Sequence, residues 1–352
     1  MTIAERRKRA PFPEVSPAPG PAGGSAGSAD PDRAACPTRQ RLDDFRAQSR
    51  GQASSVIVTV FGDAVLPRGG QIWLGSLITL LEPLGLNERL VRTSVFRLAQ
   101  DDWLEPEVQG RRSNYRLTAT GRRRFDAASQ QIYAAASAPW DQRWRLVMLV
   151  GELSTGERER LRRALFWHGF GELGSHSFVH PGARLNNVFE ALESEGLGAM
   201  LPRLLPLMAA NPRLPVSGND ADMVRGAWNL GQLAQDYTAF VSAYRGIVAQ
   251  WQDRTGAPAA FGDDCAFQLR TLLIHDYRRL LLRDPELPGV LLPADWPGHE
   301  ARALCKQLYQ QLLAASERHL DRHLQLASGE TPTATALMAE RFGLSDPLQA
   351  GP

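Results

Sequence analysis

Three histidines, His168, His176 and His180, fall together in "WHGFGELGSHSFVHPG", the first place in this chain to look for a metal. Zinc needs convergent ligands, yet Gly174 and Pro181 impose a strand or loop where one helical face would be required, and no nearby cysteine or acid pair completes a set. Asp263 and Asp264 in "GDD" could pair as carboxylates, but they stand just before a helical stretch, where acids cap. "PRGG" is glycine-rich but lacks the Gly-Lys-Ser/Thr ending of a phosphate loop. No Ser/His/Asp set presents itself, so the reading is of no catalytic residues, no metal and no cofactor.

Arginine offers a different chemistry. Between Asn87 and Arg124 there are nine arginines (Arg89, Arg92, Arg97, Arg111, Arg112, Arg116, Arg122, Arg123, Arg124) against five acids (Glu88, Asp101, Asp102, Glu105, Glu107), a local excess of +4 in a chain whose formal charge is +2. Only Lys8 and Lys306 are lysines, so arginine is favoured throughout and its placement carries more meaning than its identity. "NERLVRTSVFRLAQ" supplies an N-cap at Asn87 and an inward stripe of Val91, Val95 and Leu98. That stripe turns Arg89, Arg92, Thr93 and Arg97 outward, with Phe96 at the boundary. A helix that enters a major groove needs such a face, because arginine bonds guanine bidentately and threonine bonds bases or phosphate.

The elements around this face fit the same use. "SSVIVTVFGDAVL" reads equally as a strand or a short buried helix. "IWLGSLITLLEPLG" is a helix with Ile72, Leu77, Leu80 and Leu81 on one face, stopped at Pro83 and Gly85. Two helices joined by a tight glycine-containing turn form a helix-turn-helix. Strands from Trp103 and Leu104, and through Tyr115 and Leu117, flank the polar turn "RRSN", which brings Arg111 and Arg112 to the tip of a wing along the phosphate backbone. A closing helix turns Phe125 and Ile132 inward.

With 352 residues, 43% of them hydrophobic, the chain is long enough for several domains. Residues 1–50, rich in Pro, Gly, Ala and Ser, read as a disordered tail. A winged helix-turn-helix DNA-binding domain is expected over 51–136. From 137 to 215 strand, helix, strand, helix, strand suggest an α/β domain of split βαβ type, whose last strand, interrupted by Pro202 and Pro206, suits only an edge. A helical C-terminal domain follows over 216–325, then a flexible C-terminus over 326–352. The fold class is α+β. Three scattered cysteines (Cys36, Cys265, Cys305) and the absence of a long apolar run point to a reduced, cytoplasmic protein with no membrane span.

The stretches "GDAVLPRGGQIWLGSLITLLEPLGLNERLVRTSVFRLAQDDWLE", "GRRSNYRLTATGRRRF", "LLIHDYRRLLLRDPELP" with "LLPADWPG", and "LYQQLLAASERHL" resemble, in the same order, the phenylacetic acid degradation operon negative regulatory proteins, the PaaX family. The resemblance runs from about residue 55 to 320. It implies a transcriptional repressor of phenylacetate catabolism with a winged helix, a ferredoxin-like (Cas2-like) middle domain and a helical C-terminal domain. It further implies a homodimer on palindromic double-stranded operator DNA, released by phenylacetyl-CoA or a related CoA thioester, with the recognition helix at Asn87 to Gln100. A nuclease in the middle domain would want an aspartate on its first strand, and none is there. The other class open to this sequence is an acyl-CoA-binding or acyl-CoA-processing protein whose winged helix makes protein contacts.

A CoA thioester joins phosphates to an apolar acyl end, so its pocket needs arginines beside aromatic walls. Arg270, Arg278 and Arg279 share "RTLLIHDYRRLLLRDP" with Tyr277. Together with Trp228 and Tyr237 of the preceding helix, they are the expected effector-binding residues.

Overall fold

The computed structural model describes residues 36–133, 139–212, 214, 217–252, 261–335 and 341–343. The basic run "ERRKR" lies outside them. Helix α1 (Pro37–Gln48) falls within the tail expected up to residue 50, so that stretch at least is folded. Its two large apolar residues, Leu42 and Phe45, are one helical turn apart and both buried. Arg41 pairs with Asp276, and Thr38 donates to Gln250 Oε1 at 2.8 Å. All of these partners are distant in sequence, which hid the helix behind the composition of what precedes it.

The ambiguous run at 53–65 is a helix, α2 (Ala53–Val60), continued by a wider helical turn through Val65. It is buried nearly all round from Val56 to Val65, which is why its sequence shows no amphipathic period. A short strand, β1 (Gln71–Trp73), leads into α3 (Leu74–Leu81), which buries Leu77, Leu80 and Leu81. Gly85, at φ 80°, turns the chain in a conformation that disfavours other residues. Asn87 then caps α4 (Glu88–Gln100), its side chain accepting from the Leu90 amide at 3.0 Å, and Val91, Val95 and Leu98 face the core.

Strands β2 (Leu104–Gln109) and β3 (Arg112–Leu117) form a hairpin with a two-residue loop, Gly110–Arg111, in which Gly110 takes the positive φ of 61°. β1 pairs with β3 through Ile72↔Tyr115, so the sheet order is β1-β3-β2. Helix α5 (Ala119–Ile132) begins at Thr118, whose hydroxyl accepts from the Gly121 amide at 2.9 Å, and it buries Phe125 and Ile132. Helix, turn, helix and three-stranded wing in this order are the elements of a winged helix.

Next come β4 (Trp144–Leu149), α6 (Thr155–Trp167), β5 (Gly171–Leu173), β6 (Ser177–His180), α7 (Leu185–Leu192) and β7 (Leu204–Ala209). The fully antiparallel sheet has order β5-β6-β4-β7, which is the ferredoxin-like arrangement. One face packs Val147, Leu149 and Phe178 against Leu161, Leu165, Val188 and Leu192 of the two helices. β7 is an edge strand, as its prolines require. The Val150 amide donates to Arg203 O, so ladder alternation turns the amides of Leu205 and Leu207 toward β4 and aims position 206 outward. Pro206 therefore lacks its N–H on the side where nothing is paired.

Helices α8 (Asp220–Ala227), α9 (Leu230–Gln252), α10 (Asp263–Leu281) and α11 (Pro297–His323) follow. The residues of the helical domain expected over 216–325 are shared between two compact units. The chain divides into two compact units, one from residues up to 135 with 239–279 and 300 onward, the other from 136–238 with 280–299. In the first, Phe267, Leu272, Leu320 and Leu324 join Val56, Leu80, Val95 and Trp103 in one core. In the second, Val224 and Ala227 of α8 pack with Trp144 and Val179 on the other face of the sheet.

The stretch expected as a flexible C-terminus is tied to the first unit at several of its described residues, although 328–330 and 333–335 are exposed. Gln325 O accepts from the Trp73 amide at 2.9 Å, Asn114 Oδ1 from the Ala327 amide at 2.7 Å, and Pro67 O from the Thr335 amide at 2.8 Å. Arg341 and Phe342 are buried. Among the described residues, no helix is long and apolar enough to cross a membrane.

Candidate nucleic-acid interface and the arginines behind it

The inward stripe of α4 leaves Arg89, Arg92, Thr93, Phe96 and Arg97 exposed together. Phe96 is 64% exposed and belongs to that face rather than to its boundary. Thr93 donates its hydroxyl back to Arg89 O at 2.8 Å. Arg92 meets Glu88 at 2.8 Å one turn away, with both side chains more than half exposed. Such a pair contributes only about 0.3–0.5 kcal/mol, so Arg92 can exchange Glu88 for a base edge at small cost.

On the wing, Arg111 occupies the tip. Arg112 is exposed but turned back: its guanidinium lies 4.7 Å over the Trp73 ring, and it donates to Ala327 O at 3.3 Å. Arg116 pairs across the hairpin with Glu105 at 2.9 Å. The six expected DNA-binding residues thus occupy a helix face and a wing within one folded unit. Arg92→Ala is expected to weaken operator binding by about 1–3 kcal/mol and to relax preference at one base pair. Arg111→Ala should weaken all sequences alike. Competition titrations against single-base operator variants at fixed salt separate the two, and equal, sequence-independent losses would remove the base-reading role.

Beneath the winged helix lies a charged hub that sequence reasoning did not find. Asp63, 4% exposed, accepts from Tyr133 Oη at 2.6 Å, Tyr309 Oη at 3.1 Å and Arg341 Nη1 at 2.9 Å, while Arg270 Nε stands 2.7 Å from its other oxygen. Arg270 also bonds Glu317 and Ser316, and Arg68 meets Glu317 and Asp321 at 2.7 Å each. Burial alone would push the Asp63 carboxyl up; Arg270 and Arg341 outweigh it and hold it below the usual carboxylate range. One signal was available, since an acid inside the apolar run "VIVTVFGDAVL" must find partners if it is buried.

The hub accounts for Arg270, whose guanidinium is held among Asp63, Glu317 and Ser316. The other expected effector residues divide between the units. Tyr277 is buried with its ring 5.7 Å from Phe240. Arg278 donates to Ser55 O and Oγ, and Arg279 to Gln52 Oε1 at 3.4 Å. In the second unit, Trp228 donates to Gly169 O at 3.1 Å beside Trp144, and Tyr237 donates to Asp284 at 2.6 Å. Neither unit alone gathers the set. A cavity of about 790 Å³ in the second unit is lined by Trp140, Gln142, Asn211, Asp220, Val290 and Leu291, and by none of the six.

Two of the remaining candidates, Asp263 and His180, are occupied within the protein. Asp263 opens α10 and takes Arg318 and Arg322. His180 accepts the Gly182 and Ala183 amides on Nδ1, and burial lowers its pKa to about 4.

Residues 52–121 match the PaaX-like protein family, 137–203 the PaaX protein central Cas2-like domain, and 228–322 the PaaX-like protein C-terminal domain. The chain is 35% identical over 297 residues, 82% of its length and 90% of the relative's, to the transcriptional repressor PaaX of Escherichia coli (strain K12). An uncharacterized protein of Mycobacterium tuberculosis of known structure is 22% identical, with 75% of this chain and 98% of that one covered at a TM-score of 0.48.

Proposed function

The chain belongs to the PaaX family, and from that membership we propose that it is a DNA-binding transcriptional repressor of phenylacetate catabolism genes, released from its operator by an acyl-CoA effector, phenylacetyl-CoA. The observation that carries the reading is the exposed face of α4, where Arg89, Arg92, Thr93 and Arg97 surround Phe96 on a helix whose opposite side is locked into the core. Arg111 and Arg112 supply the wing contacts. A homodimer presents two such faces, and its two half-sites then stand about one helical turn apart, or a multiple of it, in inverted orientation.

Release requires the effector to favour a conformation whose recognition helices no longer match that spacing. Linkage then demands that operator DNA weaken effector binding by the same factor by which effector weakens DNA binding. The test is a titration of phenylacetyl-CoA onto the protein with and without operator, at one stated salt concentration. We expect affinity to fall when operator is present; an affinity unchanged by operator removes phenylacetyl-CoA as inducer.

A further inference from the structure

Arg278 is 4% exposed, a cost that proteins normally offset with a carboxylate. Here none of the described residues supplies one. Nη2 donates to two oxygens of Ser55, the backbone carbonyl at 3.0 Å and the hydroxyl at 2.7 Å; its buried Nε makes no hydrogen bond, as is also true of Arg68 and Arg270, so the difference lies in the missing acid. Every other buried arginine in this unit shows what a structural guanidinium looks like: Arg68, Arg270 and Arg341 each meet at least one acid. Burial pushes the Arg278 pKa down to about 10, and Arg279 adds to that, so the group remains charged at neutral pH without an acid to balance it.

The nearest acid along the helix, Asp276, is taken by Arg41. Gln52 Oε1 accepts from His275 Nε2 at 2.9 Å and from Arg279. Because that oxygen only accepts, His275 carries its proton on Nε2 and is neutral, with burial lowering its pKa to about 3. Gln52, Ser55 and Arg279 are half-buried and form the rim, with Arg278 and His275 beneath them. A buried positive charge held only by neutral acceptors, with no acid among the described residues and a second guanidinium at the rim, is the complement of a desolvated oxyanion.

We propose that Arg278, with Ser55, Gln52 and Arg279 at the rim, binds one oxyanion of the effector, a phosphate or carboxylate. The proposal rests on the effector reading above and assigns it a seat. It also fixes the sign of a stability effect. A structural arginine loses stability when replaced, whereas one held unpaired for a ligand gains or keeps it when an apolar side chain of similar length takes its place.

The experiment uses full-length wild-type, Arg278→Met and Arg278→Lys proteins. Thermal melting is followed with and without inorganic pyrophosphate, phenylacetate, CoA and phenylacetyl-CoA, and operator release is followed with phenylacetyl-CoA. We expect Arg278→Met to melt no lower than wild type, to bind operator normally, and to need on the order of ten- to a hundredfold more effector for release. Arg278→Lys should fall between, having the charge without the fork. Pyrophosphate and CoA stabilising wild type but not Arg278→Met identifies the oxyanion as phosphate; stabilisation by phenylacetate alone identifies it as carboxylate. A large drop in melting temperature for Arg278→Met, or its release at the wild-type effector concentration, overturns the assignment. If wild type is not released by phenylacetyl-CoA yet pyrophosphate stabilises it through Arg278, the site stands and the effector reading falls.

Discussion

Asp63→Asn is expected to destabilise the unit that carries the winged helix by about 3–5 kcal/mol, the cost of leaving buried charges without their partner. The substitution keeps shape and most hydrogen-bonding capacity but removes the charge that balances Arg270 and Arg341. Glu317 still faces Arg270, whereas Arg341 loses the carboxylate and keeps its bonds to Tyr309 and to the carbonyls of Gly62 and Asp63. Asp63→Asn combined with Arg341→Gln should therefore recover part of the loss, and the double-mutant cycle measures their coupling. Urea unfolding followed by near-ultraviolet circular dichroism reads the effect; an Asp63→Asn change below about 1 kcal/mol would mean that the hub is wet. Acid should act in the same direction. Asp63, Asp276 and Glu317 are all held below the usual carboxylate range, burial raising each and an arginine outweighing it. Each contributes stability that is fully present above its unfolded pKa of about 4 and is lost as pH falls through the lower folded value. His275, neutral when buried, adds a loss that begins below its unfolded value of about 6.5.

Gly62→Ala should be nearly as damaging, for a steric reason. A Cβ at this position would stand 1.5 Å from Cε1 of Phe125, the residue by which α5 closes over α2. The ring is buried and set edge-on to Trp103, with centroids 6.5 Å apart, so it has little room to retreat. Overpacking of this kind costs about 3 kcal/mol, and here it also pushes on the carbonyl that accepts Arg341. Gly51→Ala, where an added Cβ meets nothing within 4 Å, is the control and should be silent. Phe125→Leu should rescue Gly62→Ala in part. Thermal melting of the four proteins decides: if Gly62→Ala melts with wild type, α5 does not depend on that close approach.

What could be read from sequence was what neighbours dictate. Asn87 and the stripe of Val91, Val95 and Leu98 each act within a few residues and stand as expected, while the hairpin turn expected at Arg111 to Asn114 sits at Gly110–Arg111, where glycine takes the positive φ, and Arg112 to Asn114 belong to β3. Pro206 announced an edge because a missing N–H is a local fact. What could not be read depended on partners far away in the chain. α1 is held by Gln250 and Asp276, Asp63 by Arg270 and Arg341, and Arg278 by Ser55. An arginine-rich helix looks the same in sequence whether its guanidiniums meet acids, DNA or a ligand. Arg270 and Arg278, two turns apart on α10, came out opposite: one saturated by acids, the other without one.

The winged helix is encoded early, yet Val56, Leu80 and Trp103 share their core with Phe267, Leu272, Leu320 and Leu324, and Asp63 waits for Arg270 and Arg341. On the ribosome the recognition helix therefore emerges long before the residues that bury its supports. The ferredoxin-like sheet, which contributes no residue to that core, has all its strands within residues 144–209 and can pair them while the first unit is still open. Loop closure over some 200 residues must then precede a finished core around α4. Helix α4 is thus translated early, whereas the core on which it packs is completed only once α10 and α11 exist.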